Sequence, residues 1–141
     1  MLTKVSETKK RIILASGSRI RRQLLEQAGL EFEVVNSYVD EDLLKKELQG
    51  RPFGEQVKKL ASEKASTVSK ENLEAYVIGS DNMCTVDDRI FDKPIDHEDA
   101  VSHLKSLSGK KHFQNNGISI YHLGEELSLI HISEPTRQRV I

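Results

Sequence analysis

The chain has 141 residues, 37% hydrophobic and 30% charged, with a formal net charge of −1. That suits one soluble domain with a single core, and a charge so near zero excludes general affinity for nucleic acid or an acidic membrane. Few aromatics and no tryptophan also exclude a stacking platform for single strands. Lone Cys84 cannot form an internal disulfide, the apolar run after the basic start is too short for a signal peptide, and no segment reaches transmembrane length. A cytoplasmic location is the expectation.

In chain order, residues 11–15 read as a buried strand running into Ser16-Gly17-Ser18. A helix over 18–28 follows, closed by Gly29. Residues 32–35 alternate as a second strand, and the acidic stretch containing Asp40 and Glu41 reads as a solvated loop. Pro52 suits the first turn of a helix over 52–69. Val57, Leu60, Ala61, Lys64, Ala65 and Val68 share one face of it, with Lys64 at the edge of the apolar stripe. Residues 75–80 form a third strand, and Thr85-Val86 with Ile90-Phe91 make a hairpin around Asp87-Asp88. Another helix starts at Asp96 or His97, turns Ala100, Val101, Leu104 and Leu107 inward, and ends at Gly109. Residues 112–121 alternate as a last strand. Strands and helices interleave without repeats, low-complexity segments or linkers, which predicts an α/β layered fold.

Two segments carry chemistry. A strand-to-helix turn exposes free N–H groups to an anion, and here Arg21 and Arg22 sit in the first turns of the helix. Cations are mildly unfavourable at that end, so a bound phosphate gripped by arginine forks would explain them. A solvated basic helix start with Ser18 as an ordinary N-cap explains them equally. Asp81, at the end of the third strand, could be a general base with a pKa raised by burial, or could hold a divalent cation. The alternative is an aspartate that merely forms a turn. Lys64 and Lys93, judged singly, are solvated lysines. The histidines lack ligand spacing, with His103 on a helix flank and His112 on a strand edge, and neither a GxxxxGK loop nor a GxSxG elbow occurs.

Taken together and in order, these segments resemble the Maf family of nucleoside triphosphate pyrophosphatases from about residue 11 to 121. The carrying elements are Leu14-Ala15-Ser16-Gly17-Ser18-Arg19-Ile20-Arg21-Arg22, with Arg19 in place of the usual proline, then Val39-Asp40-Glu41 and Ala61-Ser62-Glu63-Lys64-Ala65. Ile78-Gly79-Ser80-Asp81, Asp92-Lys93-Pro94 and Leu107-Ser108-Gly109 complete the series. The resemblance implies a mixed β-sheet flanked by helices, Maf/ITPase-like, with a nucleotide-binding cleft. It further implies hydrolysis of the α–β phosphoanhydride with Mg2+ or Mn2+, and a homodimer. Asp81 then matches the proton acceptor, and Ser16, Ser18, Arg21, Arg22, Lys64 and Lys93 match residues around the triphosphate. Glu41 with Asp81 matches the metal ligands. Ile20 and Asn82 stand at specificity positions; with Ser80 they resemble members acting on 7-methylated guanosine triphosphate more than those acting on thymidine or uridine triphosphate.

The family's C-terminal K-A-G-A-Y-G-I-Q region is absent. In its place LSLIHISEPTR, residues 127–137, resembles the translated end of a transposon adapter used in sequencing libraries. The expectation is therefore a truncated domain over 1–126 and a non-native tail over 127–141 that lacks a defined partner, with His131 and Glu134 in no metal site. A nucleotide-binding fragment without turnover is the competing reading.

Overall fold

A computed structural model describes residues 10–87, 89–91 and 95–137. The strands are β1 (Ile12–Leu14), β2 (Glu33–Val34), β3 (Tyr76–Val86), β4 (Arg89–Phe91), β5 (Lys111–His122) and β6 (Glu125–Arg137). The helices are α1 (Arg19–Gln27), α2 (Glu41–Glu47), α3 (Phe53–Glu71) and α4 (His97–Leu107). Six strands form one mixed sheet in the order β2-β1-β3-β5-β6, with β4 also on β3. The α/β expectation therefore holds.

β3 is the axis of the sheet. Along one edge it pairs antiparallel with β5 from Val77 to Thr85. Its other edge is shared: β1 runs parallel to Tyr76, Val77 and Ile78, and β4 returns antiparallel against Cys84, Thr85 and Val86. Between those partners, residues 79–83 face no strand on that edge among the described residues. A local opening thus lies beside the carboxyl end of β1. In open α/β sheets, crevices at strand carboxyl ends are where ligands bind.

Helix α3 covers the β3–β5 face, as its stripe predicts. Val57, Leu60, Ala61, Ala65 and Val68 are buried, and so are Gln56, Lys64 and Ser69. Burying one such valine or leucine is worth roughly 1.5–3 kcal/mol. The helix approaches the sheet closely because glycine faces it twice. A Cβ on Gly79 would lie 2.2 Å from the Ala61 carbonyl oxygen, and one on Gly117 would lie 2.3 Å from that of Val57. Glycine inside a strand marks such an approach of two backbones.

The structure departs from the sequence reading at five places. β3 does not stop at Ser80 but continues to Val86, so Asp81 lies within a strand and not in a turn. Alternation explains this: Val77, Gly79, Asp81, Met83 and Thr85 are buried, while Asn82 is exposed. The acidic loop is partly helix α2, with Asp40 accepting from the Leu43 N–H as N-cap. Helix α4 buries none of its residues, and Leu104 is 52% exposed. His112 is buried on an interior strand, not at a sheet edge. Finally, residues 128–137 have a partner, because β6 pairs antiparallel with β5 on both sides of an irregularity at Leu127. β5 offers an open edge, and an alternating, β-prone segment fills it. Leu127, Leu129, Ile130 and Ile132 nevertheless remain exposed.

Candidate active site

Three chain segments converge beside the opening in the sheet. From the end of β1, Ser16 is buried, and its Oγ accepts from the Ser18 N–H at 3.0 Å and from Arg21 Nη1 at 3.2 Å. Ser18 caps α1 by accepting from the Arg21 N–H. The capping reading of Ser18 therefore holds, while Arg21 folds back toward the strand end. From the start of α2 comes Glu41, one residue past its cap. From the covered face of β3 comes Asp81.

Lys64, on α3, joins the carboxylates. Its Nζ lies 2.6 Å from Glu41 Oε1 and 3.2 Å from Asp81 Oδ1. The Lys64 and Asp81 side chains are each 11% exposed and Glu41 is 42% exposed, so the cluster is closed on the sheet side and reachable past Glu41. Lys64 is thus no solvated lysine. Proximity of Ala61 and Ala65 to Gly79 places the intervening lysine over Asp81, which is the local reason the pair forms.

The electrostatics divide the carboxylates. Burial raises the Asp81 pKa above the usual aspartate value, against the charge and hydrogen bond of Lys64 and the charge of Arg21, and Glu41 pushes it the same way as burial. At Glu41, burial is the largest single influence and pushes upward. The hydrogen bond and charge of Lys64, with the charges of Lys45 and Arg21, together outweigh it and leave the pKa lowered. Burial also lowers the Arg21 pKa, countered by the charges of Asp81 and Glu41. One atom stands out: Asp81 Oδ2 is buried without a hydrogen-bond partner.

That orphan oxygen allows a test of fit for a divalent cation. Asp81 and Glu41 supply hard oxygen donors, and Mg2+ is usually held by one or two carboxylates plus substrate phosphates. The residues fit. Among the described residues no group of three or more His, Cys, Asp and Glu side chains is arranged to hold a metal ion.

The other expected residues lie apart. Arg22 forms an exposed i,i+4 pair with Glu26 at 3.3 Å. Ile20 is 69% exposed on α1. Asn82 lies on the sheet face opposite Asp81 and donates to Asn116 Oδ1 on β5 at 2.6 Å. Lys93 lies outside the described residues. Sequence reading passed over Gly117 and Asn116, although a glycine inside an alternating strand was a legible signal for the first.

Beside the carboxyl end of β1 this α/β sheet gathers a helix N-terminus, two cations and two acids, a set whose chemistry suits an anionic ligand. The solved structure of a HAM1 protein from Coxiella burnetii shares this fold, with a TM-score of 0.52 at 15% identity over 90% of this chain and 71% of that one. The family model described as Maf-like protein matches residues 11–140, and the chain belongs to that family. A protein of Legionella pneumophila (strain Paris) named nucleoside triphosphate pyrophosphatase is 41% identical over 90% of this chain and 68% of its own length. One of Aquifex aeolicus named dTTP/UTP pyrophosphatase is 37% identical over 93% of this chain and 69% of its own. The chain therefore spans about two thirds of the length of these relatives. No helix among the described residues is long and apolar enough to cross a membrane.

Proposed function

We propose that this site hydrolyses nucleoside triphosphates at the α–β phosphoanhydride, releasing pyrophosphate and a nucleoside monophosphate. The supporting observation is the buried Asp81 carboxylate with one free oxygen, set beside Lys64, Arg21 and the N-terminus of α1. The names of the relatives agree with this reading.

Asp81 takes the proton of the attacking water through its free Oδ2. A pKa raised toward the working pH makes a carboxylate a better base, provided it remains ionised. Arg21, oriented by Ser16, holds phosphate oxygens, and Lys64 offsets charge that develops on the leaving pyrophosphate. Helix α1 presents its free N–H groups to the same anion. A divalent cation, Mg2+ or Mn2+, held by Glu41 and Asp81 would neutralise and polarise the phosphates when bound. For the base, the proposal of 7-methylguanosine triphosphate over thymidine or uridine triphosphate rests on the resemblance of Ser80, Asn82 and the non-arginine Ile20 to family members of that type. Residues 127–141 are proposed as foreign sequence appended to the domain of 1–126, which an independently prepared DNA template would test.

Pyrophosphate release from a panel of nucleotides, with Mg2+ or Mn2+, tests the activity. Asp81→Asn should lose at least about a hundredfold in kcat while nucleotide binding persists, because the amide keeps the shape but cannot accept the proton. Arg21→Ala should act mainly on KM. Full turnover in Asp81→Asn removes that residue from the chemistry. Nucleotide binding without turnover in the unaltered chain would favour the regulatory fragment.

A further inference from the structure

The two acids proposed to hold a metal already hold a cation. Lys64 Nζ lies within ion-pair distance of both Glu41 Oε1 and Asp81 Oδ1, at 2.6 and 3.2 Å. A single ion bridging those oxygens would have to occupy the place of the ammonium. We propose that Lys64 is the resident counter-cation of this pocket, so that a divalent metal enters together with the triphosphate and not ahead of it. The chemical substrate is then a preformed metal–nucleotide chelate, a statement that rests on the hydrolase reading above.

Three observations carry this. First, the formal charges of Lys64 and Arg21 cancel those of Glu41 and Asp81. A free divalent ion would therefore meet a pocket that is already neutral, with a buried ammonium to displace. Second, the body of α3 is seated against Gly79 and Gly117 with no spare space, so Lys64 can leave only by moving its own side chain. Its flexible four-carbon stem allows that without moving the helix, and Glu41, 42% exposed, leaves a way toward solvent. Third, a triphosphate oxygen offers the ammonium a charge-assisted bond equal in kind to those it gives up. Transfer of Lys64 from carboxylates to phosphate frees both acids for the metal that arrives with that phosphate. Each ligand thereby promotes the other, by the same factor in both directions.

The test needs no turnover, so it separates from the hydrolase reading. Mn2+ binding to the full chain is followed at pH 8 by the electron paramagnetic resonance of the free ion, without nucleotide. Lys64→Met should bind Mn2+ about tenfold more tightly than the unaltered protein, and Lys64→Arg, which keeps the charge, should not. Equal affinity in Lys64→Met overturns the proposal, since metal would then use the free Asp81 Oδ2 beside an unmoved lysine. Should Lys64→Met fail to fold by circular dichroism, the unaltered protein still decides. The 15N resonance of the Lys64 ammonium, assigned by its loss in Lys64→Arg, should shift when Mg2+ and inorganic tripolyphosphate are added together. A resonance that stays unmoved at saturation overturns the proposal.

Discussion

The centre of the sheet and its β6 edge are both alternating β-sequence, yet they are buried to opposite degrees. Along β3, alternate residues from Val77 to Thr85 lie beneath α3, and two of them, Gly79 and Asp81, carry the close approach and the charge of the site. Along β6, backbone pairing with β5 runs from Glu125 to Arg137 with one irregularity at Leu127, while Leu127, Leu129, Ile130 and Ile132 stay exposed. Hydrogen-bond pairing is thus common to both regions, and the depth of helix cover distinguishes them, since α3 meets β6 where Gly54 faces His131 and leaves the apolar β6 side chains named above exposed. Of these two regions, the covered one holds a carboxylate dry enough for burial to raise its pKa.

The largest effect should come from filling the glycine contact. Gly79→Val would drive a side chain into the Ala61 carbonyl and the Ala65 N–H, both backbone, at a cost of about 3 kcal/mol or more in denaturant unfolding. A loss below about 1 kcal/mol would mean that α3 is seated less firmly than the contact implies. Next comes Leu60→Ala, which empties a fully buried position on the same helix and should cost about 3 kcal/mol.

The charges sharpen the contrast further, because the two acids respond to pH with opposite sign. Asp81 has a raised folded pKa, so its favourable contribution is complete below the ordinary aspartate value and is lost as pH rises through its folded pKa. Glu41 has a lowered one, so its contribution is present above the ordinary glutamate value and is lost as pH falls through its folded pKa. Carboxyl 13C titration should place Asp81 above and Glu41 below their ordinary values. Both should move upward in Lys64→Met, since Lys64 holds both down. An unmoved Asp81 would show that Lys64 does not sense it in solution. The smallest effect belongs to the edge: Ile132→Ser should change unfolding free energy by no more than about 0.5 kcal/mol. A loss as large as that of Leu60→Ala would make β6 part of the core.

Residue order by itself determined the elements that depend on local chemistry. Ser18 caps α1 because its hydroxyl reaches a free N–H within its own turn, and the α3 stripe is legible because 3.6-residue spacing puts those six side chains on one face. The tight turn at Asp87 and the alternation of β5 follow from equally local rules. Arg21 and Asp81 are legible as chemical types, whereas Ser16, Glu41 and Lys64 gain roles only from the order of the motifs, which points to one family. What covers a face is not written in its periodicity, and there tertiary structure decided. α4 has an apolar face on which no residue is fully buried, and Asp81, which local sequence leaves open between a turn former and a chemical group, lies in a strand that continues beneath a helix. Lys64 looked solvated because a lone lysine normally is; only the meeting of α3, β3 and α2 supplies the two carboxylates that make its burial tolerable. Long-range contact created that site, since no residue can report in its own sequence neighbourhood the charge that will face it from another element.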